Sequence, residues 1–223
     1  MNSLPIGYRA LVIGASGAIG AEFVTLLSAD PRCGGVALLH RHSLPAIDMQ
    51  DEQSIAAAAM ALAGDAPFHL VIHAAGLLHD AELMPEKKLS DLRSSNLMKS
   101  FCVNSVGPAL VLRYFTPLLS SEGSRMIFLS AKVGSIGDNR LGGWYAYRAS
   151  KAALNMLVKT ASIELKRTAP GVIVIAMHPG TVNSKLSKPF GGEVKGRLAN
   201  VACQEMLQTI DMLKPEQSGQ FLT

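Results

Sequence analysis

Tyr147 and Lys151 stand four residues apart in a segment with helical spacing, residues 145–167, so their side chains share one helical face. A phenol with a pKa near 10 is a poor acid at neutral pH, but a nearby ammonium stabilises the phenolate and lowers that pKa. Each unit of lowering corresponds to roughly 1.4 kcal/mol. The pair therefore predicts a tyrosine that donates a proton to a carbonyl oxygen beside a supporting lysine.

A hydroxyl that steadies the reacting oxygen is expected near such a tyrosine. Ser130 directly follows the apolar run 126–129, so a buried strand end would hold its backbone in place, whereas Ser135 follows Gly134 in a looser stretch. We therefore assign the hydroxyl to Ser130 and keep Ser135 as the alternative.

Asn104 lies four residues before Pro108 in a long helical pattern. Because proline lacks the N–H that would bond the Asn104 carbonyl, the helix should bend there and leave that carbonyl free for a water molecule. The alternative is an ordinary kink without a catalytic consequence.

A glycine-rich turn follows the first apolar run and opens the first helical pattern. Glycines permit a tight turn and close approach of the backbone, and free N–H groups at a helix start attract a pyrophosphate. The turn predicts a dinucleotide site formed by Gly14, Ser16, Gly17, Ile19 and Gly20.

Arg41 follows the second apolar run, at a position where an acidic residue would bond the ribose hydroxyls of NAD. No carboxylate stands there, and an arginine pairs with a 2′-phosphate, so NADP is favoured and NAD remains possible. A solvated surface arginine is the alternative. Asp48 is expected to accept a hydrogen bond from the adenine amino group, or else to cap the helix that begins near Asp51.

Small residues follow the third apolar run, as a backbone lying against a ribose requires: Ala74, Ala75 and Gly76. His73 and His79 are six apart, and no cysteine or carboxylate completes a metal-ligand set with them. We expect structural histidines and no metal.

These residues must be positioned by strands that alternate with helices. Strands are expected at 8–13, 36–39, 68–72, 126–129 and 172–177, and helices at 18–27, 54–63, 96–119, 145–167 and 194–213. Such alternation predicts βαβ crossovers and an α/β fold, in which a parallel sheet carries helices on both faces and ligands bind at the carboxyl ends of the strands.

Length and composition favour one domain over residues 1–223, since the chain has 223 residues and is 48% hydrophobic. The net charge of +4 is spread thinly, which argues against a nucleic-acid partner. The three cysteines lack CxxC spacing, and no apolar run reaches membrane-spanning length, so a cytoplasmic location without a membrane partner is expected.

Residues 183–198, rich in lysine, glycine and proline, are expected to form a mobile substrate lid.

Together these motifs resemble the short-chain dehydrogenase/reductase family, in particular its C-factor and sniffer-type carbonyl reductase branch. The likeness runs from about residue 8 onward and rests on the glycine turn, residues 73–76, Asn104, the Ser130 region, the Tyr147–Lys151 pair and Pro179–Gly180.

The resemblance implies a Rossmann-type, doubly wound, seven-stranded sheet and NAD(P)-dependent interconversion of a small-molecule carbonyl and alcohol. It implies that Lys151 bonds the nicotinamide ribose, that Asn104 holds a water in a proton path, and that Pro179, Gly180 and Thr181 line the nicotinamide pocket. It also implies a homodimer or homotetramer packed through the helices that contain Asn104 and Tyr147.

Three features depart from the family pattern. Gly17 and Ala18 change the usual residue order of the glycine turn, Ala131 stands where many relatives have the catalytic serine, and the chain ends just inside the expected last strand. The alternative function is therefore that of a C-factor-like, cofactor-binding signalling or regulatory protein with weak catalysis.

Overall fold

One sheet of six parallel strands forms the middle layer of the structure, a computed structural model that describes residues 1–223. The strands are β1 (Tyr8–Ile13), β2 (Cys33–Leu39), β3 (Leu70–His73), β4 (Arg125–Leu129), β5 (Ile173–Met177) and β6 (Phe221–Leu222). Their spatial order is β2-β1-β3-β4-β5-β6, and every neighbouring pair is parallel. The chain therefore changes its winding direction between β1 and β3, where a ligand crevice forms at the carboxyl ends of the strands.

The expected seventh strand is absent, which corrects the seven-stranded sheet implied by the family resemblance. From the end of β2 the chain runs through irregular residues 40–51 directly into the next helix, with Ile47 and Met49 buried. A parallel strand needs a crossover of about a dozen or more residues before it, usually a helix. Residues 40–51 are too few for both a crossover helix and a further strand.

Helices cover both faces of the sheet. They are α1 (Ala18–Ser28), α2 (Glu52–Ala61), α3 (Ser94–Phe101), α4 (Gly107–Phe115), α5 (Tyr145–Thr168), α6 (Gly192–Lys195) and α7 (Ala199–Asp211). Successive strand residues point to opposite faces, so Leu11 and Ile13 pack with α2, α4 and α5, whereas Ala10 and Val12 pack with α1 and α7. The two apolar cores fix the register of the strands and thereby the positions of the loops that follow them.

The helical pattern at 96–119 is divided into α3, a π-helical turn over Cys102–Val106, and α4. Pro108 cannot donate to a carbonyl in the preceding turn, and Gly107 packs so closely that an added β-carbon would lie 2.7 Å from the Met49 carbonyl oxygen. The helix is thus distorted around Asn104, as the proline predicts.

Residues 183–198, the segment expected to form a lid and called the lid below, are joined at their base by a bridge between Val182 and Arg197. The helix expected over 194–213 is interrupted, because α6 ends at Lys195 and α7 begins only at Ala199. No helix of the chain is both long and apolar enough to span a bilayer.

Candidate active site

Lys151 lies in the second turn of α5 with only 4% of its surface exposed. Its Nζ donates a hydrogen bond to the Leu129 carbonyl oxygen at 2.9 Å, and lies 5.9 Å from the centre of the Tyr147 ring. Burial lowers the pKa of Lys151 to about 8. The structure thus brings the predicted pair together at the end of β4.

The Tyr147 phenol does not behave as the sequence predicts. Burial raises the pKa of Tyr147, whereas the spacing of the pair predicts a lowering by the Lys151 ammonium. The phenol is therefore protonated at neutral pH in the ligand-free protein. A protonated phenol can donate a proton. To act as a base it must first lose its own proton, and an additional positive charge nearby would favour that loss.

Glu86 anchors the start of α5, a role that the sequence did not reveal. The residue before the helix is Trp144, whose φ of 54° is left-handed and whose side chain provides no cap. The Glu86 carbonyl oxygen accepts a hydrogen bond from the Trp144 N–H at 2.5 Å, and its Oε2 accepts one from the Ala146 N–H at 3.1 Å. Glu86 is 3% exposed and its Oε1 has no partner. Because Glu86 is sixty residues from the helix in sequence, no local pattern predicts the contact.

Asn104 is held rigidly within the π-helical turn. Its Nδ2 donates to the Leu77 carbonyl oxygen at 2.7 Å and to Ser150 Oγ at 3.1 Å, while its Oδ1 accepts from the Leu77 N–H at 2.8 Å. Ser150 Oγ donates in turn to the Tyr147 carbonyl oxygen at 2.9 Å. A β-carbon added to Gly76 would lie 3.4 Å from Asn104 Oδ1 and 3.5 Å from Lys151 Nζ, so these elements meet at one point.

The two candidate serines point to other partners. Ser130 Oγ donates to Asn155 Oδ1 at 2.6 Å, and Asn155 lies about 12 Å farther along α5 than Tyr147 at 1.5 Å per residue. Ser135 lines a cavity of about 420 Å³ together with Tyr145 and Arg148. Neither hydroxyl is hydrogen-bonded to Tyr147 in this structure, and the assignment to Ser130 stays a prediction. Ala131 is a buried residue without a hydroxyl.

The glycine turn between β1 and α1 is packed closely against the segment after β3. Gly14 has a φ of +86°, and a β-carbon on it would lie 2.5 Å from the Ala75 nitrogen. Gly20 is equally confined, because its β-carbon would meet the Gly14 carbonyl oxygen. No side chain caps α1 and no acidic residue stands in its first turn, so Ser16, Gly17 and Ile19 border an uncapped helix N-terminus. This geometry suits a pyrophosphate.

Arg41 projects from the exposed turn after β2 and forms no ion pair. Asp48 Oδ1 accepts a hydrogen bond from the Gln50 N–H at 3.0 Å, while Asp51 caps α2 by accepting from the Gln53 N–H at 2.9 Å. The helix cap is thus Asp51, and Asp48 shapes the chain ahead of it.

Pro179, Gly180 and Thr181 follow β5 at the same edge of the sheet as Lys151. Gly180 has a φ of +74°, and the Thr181 carbonyl oxygen accepts a hydrogen bond from the Arg197 N–H at 2.8 Å. The turn is thereby tied to the base of the lid.

His73 lies fully buried at the end of β3. Its Nε2 is 3.2 Å from Met49 Sδ, and its ring stacks on Phe128 with centroids 5.4 Å apart. Burial, aided by the nearby Lys151 charge, lowers the pKa of His73 to about 3, so the ring is neutral. No group of three or more histidine, cysteine or acidic side chains in the chain is arranged to hold a metal ion.

Comparisons with known proteins concern the family and the fold of this chain. A family model described as short chain dehydrogenase matches residues 36–194. The 1-hydroxy-2-glutathionyl-2-methyl-3-butene dehydrogenase of Rhodococcus sp. (strain AD45) is 33% identical over 178 residues, 79% of this chain and 75% of that protein. C-signal of Myxococcus xanthus is 35% identical over 134 residues, 60% of this chain and 77% of that protein. The NADPH-bound carbonyl reductase from chicken fatty liver has a similar fold, with a TM-score of 0.83, 23% identity, and coverage of 98% of this chain and 92% of that one.

Proposed function

Because this chain belongs to the short-chain dehydrogenase family, we propose that it interconverts a carbonyl compound and an alcohol with NADP as cofactor and Tyr147 as general acid and base. The observation that carries the proposal is the meeting of Tyr147, Lys151 and Asn104 with Gly76 at the end of the sheet where the glycine turn lies. A purely structural α/β domain would not require these groups to converge.

The residues around the glycine turn fit a dinucleotide. The uncapped N-terminus of α1, with Ser16, Gly17 and Ile19, would hold the pyrophosphate, and the close packing of Gly14 on Ala75 leaves only backbone at that surface. Arg41 would pair with the 2′-phosphate and Asp48 would accept from the adenine amino group. When bound, the nicotinamide supplies or accepts the hydride.

The other end of the cofactor would lie along three strand ends. Ala74, Ala75 and Gly76 would present a small-residue surface to the ribose, Lys151 Nζ would donate to its hydroxyls, and Pro179 to Thr181 would line the nicotinamide. Lys151 Nζ carries three N–H donors, so it can make these bonds while it keeps its hydrogen bond to the Leu129 carbonyl oxygen. The NADPH-bound carbonyl reductase of similar fold supports NADP, and NAD is the second choice.

Side chains of this protein carry out the proton transfer. Tyr147 is protonated at neutral pH and donates its proton to the carbonyl oxygen of the substrate. The buried Lys151 then lies within reach to stabilise the phenolate. Asn104 holds the Leu77 backbone and Ser150, and so fixes the turn of α5 that carries Tyr147.

Substitution of Tyr147 by phenylalanine tests the function directly. Because general acid catalysis typically contributes about 10²–10⁴-fold, Tyr147→Phe should reduce turnover by at least 100-fold, while NADPH affinity stays within about twofold. The measurement is NADPH oxidation with a panel of aldehydes and ketones, together with an NADPH binding titration. Tyr145→Phe, two residues earlier, is the matched control and should keep its activity. Retention of more than about a tenth of the turnover by Tyr147→Phe contradicts the assigned role.

A second candidate function is that of a C-signal-like signalling protein that binds the cofactor and catalyses weakly. The likeness to C-signal and the alanine at position 131 favour it. The two functions differ in one measurement, because a signalling protein would bind NADPH with a saturable change in fluorescence and oxidise it with no carbonyl compound in the panel.

The serine assignment is tested by Ser130→Ala and Ser135→Ala. Since Ser130 is engaged by Asn155 and Ser135 faces a different cavity, we expect each variant to lose less than about threefold in turnover at saturating NADPH. Removal of a donor to the reacting oxygen typically reduces turnover by about 10²–10³-fold. A loss of that size in Ser130→Ala would support the role that the sequence assigns to Ser130 and would mean that Ser130 leaves Asn155 during turnover. A loss confined to Ser135→Ala would transfer the role to Ser135.

The exposed apolar side chains of the helices around Tyr147 support a dimer or tetramer packed through α4 and α5. Met156 and Ile163 on α5 are 65% and 53% exposed, and Val106, immediately before α4, is 49% exposed.

A further inference from the structure

Four aromatic rings form a continuous row that ends at the catalytic phenol. The ring centroids of His79 and Phe190 are 5.6 Å apart, those of Phe190 and Trp144 are 4.8 Å apart, and those of Trp144 and Tyr147 are 6.2 Å apart. All three contacts are edge-to-face, the arrangement that aromatic pairs prefer. The row therefore joins three separate parts of the chain: the loop after β3, the start of α5, and the lid.

Each ring of the row is held by its own element. The Trp144 backbone is fixed by the Glu86 carbonyl oxygen, and Phe190 lies in a short 3-10 turn, Lys188–Phe190, within the lid. His79 Nε2 lies 3.2 Å from the Lys185 carbonyl oxygen, so the lid is attached at a second point. Because the Trp144 ring contacts Tyr147, a compound that binds at the Tyr147 phenol lies next to this row.

The two lysines of the same segment, Lys185 and Lys188, are not part of the row. Lys188 is paired with Glu193 at 2.8 Å, and the Lys185 side chain is exposed to solvent. Trp144 and Phe190 are themselves partly buried and contribute apolar ring surface. This surface favours an uncharged, flat, apolar group over a sugar or a carboxylate.

We propose that the substrate is a carbonyl compound with an aromatic ring next to the carbonyl, and that this ring packs against the contacting rings of Trp144 and Phe190, beside Tyr147. The inference rests on the proposed function. In the reaction, a reduced nicotinamide dinucleotide gives a hydride to the carbonyl carbon of an aryl aldehyde, and Tyr147 gives a proton to its oxygen. The products are the benzylic alcohol and the oxidised dinucleotide.

Binding is tested without turnover, because the chain contains a single tryptophan and that residue is Trp144. The protein is titrated with benzyl alcohol and, as a control of equal size without a flat ring, with cyclohexylmethanol. We expect a saturable change in tryptophan emission with a dissociation constant roughly three- to tenfold lower for benzyl alcohol, the range that an aromatic pair contributes. Equal constants for the two alcohols, or no saturable change with either, would overturn the proposal.

Selectivity is tested with Phe190→Leu, which keeps an apolar side chain of similar size but removes the ring. We expect kcat/KM for benzaldehyde to fall about three- to tenfold, and that for cyclohexanecarbaldehyde to change by less than twofold. Val194→Ala alters an 89% exposed side chain of the same lid and should leave both values unchanged. An equal fall for both aldehydes, or none, would contradict selection by the ring.

The two experiments separate failure of this inference from failure of the proposed function. If the native protein oxidises NADPH with no aldehyde or ketone of the panel, the proposed function fails, while the tryptophan titration still decides whether an aromatic ligand binds beside Trp144. Activity with other carbonyl compounds but with neither of these two aldehydes would overturn this inference alone.

Discussion

Lys151 places a positive charge in a buried position where the Leu129 carbonyl oxygen is the acceptor of its hydrogen bond. Its pKa falls from 10.5 to about 8 because burial penalises the charged form. The folded chain therefore binds fewer protons than the unfolded chain between these two values, so stability rises with pH in that window. Below a pH of about 8, folding carries the full cost of burying the charged ammonium group of Lys151.

Lys151→Met should accordingly stabilise the protein while it impairs the site. A lowering from 10.5 to about 8 corresponds to roughly 3 kcal/mol, and about 1 kcal/mol is lost because the Leu129 carbonyl oxygen becomes unpaired. We expect the free energy of unfolding at neutral pH to rise by about 2 kcal/mol, a difference that shrinks as the pH approaches 10.5, with weaker binding of NADPH. Urea unfolding at several pH values measures it, and a less stable variant would contradict the argument.

Arg41 is the one residue expected to decide between NADP and NAD. Arg41→Asp replaces a partner of the 2′-phosphate by a group that repels it and accepts from ribose hydroxyls, so the preference for NADPH should narrow or reverse. The dissociation constants of NADPH and NADH are compared in both proteins, with Arg140→Asp on another exposed loop as the charge-matched control. Tighter binding of NADH than of NADPH by the native protein would show the assignment to be wrong.

At the residue scale, the sequence predicts which side chains lie together better than it predicts their protonation and hydrogen-bond partners. Tyr147 and Lys151 share a helical face, and that spacing places them together without any knowledge of the tertiary structure. The direction of the Tyr147 pKa shift depends on how deeply the phenol is buried, which no local spacing indicates. The acceptor of the Ser130 hydroxyl, Asn155, depends in the same way on how α5 packs against the end of β4.

The first turn of α5 depends on the side chain of Glu86, which is distant in sequence. The Glu86 carboxyl group accepts from the Ala146 N–H next to Tyr147, where a negative charge also complements the helix dipole. Glu86 is thus expected to position the catalytic phenol without touching the substrate.

Glu86→Ala removes both the acceptor and the charge, whereas Glu86→Gln keeps an oxygen acceptor. We expect the alanine variant to lose about 1–2 kcal/mol of stability and to show a lower kcat with little change in KM, and the glutamine variant to recover most of kcat. Urea unfolding and steady-state kinetics measure these effects. Glu82→Ala, with a side chain that is 88% exposed in the same loop, is the control. Equal behaviour of Glu86→Ala and Glu82→Ala would exclude a positioning role.

The elements with regular periodicity were predicted closely, and those without it were not. The run 8–13 matches β1, because a central strand buried on both faces is a short apolar run. The pattern 145–167 matches α5 to within a residue, because the helix buries one side in the core. The helix expected at 194–213 is interrupted at residues 196–198. There the Arg197 backbone forms hydrogen bonds with Thr181 and Asn183 at the base of the lid. Such bonds leave no pattern in the sequence.

For the whole molecule, the parallel sheet is what assembles the site. Its residues follow successive strand ends: Gly14 after β1, Arg41 after β2, Gly76 after β3 and Pro179 after β5. Strand and helix alternation alone predicts this convergence. The number of strands was not predictable in the same way, because the missing strand would have fallen in residues 40–51, where apolar Ile47 and Met49 are buried without joining the sheet.

The order of the strands also has a consequence for how the protein is made. After β1 and β2, every later strand joins the sheet beside β1 or beside the strand that precedes it in the chain, from β3 through β6. Domains begin to fold from the N-terminus during synthesis, so this sheet can grow outward one strand at a time on the ribosome, always against an edge that already exists. Residues 183–198, which include Phe190, emerge after β5, so a nascent chain completes the proposed substrate surface only after five of the six strands have been made.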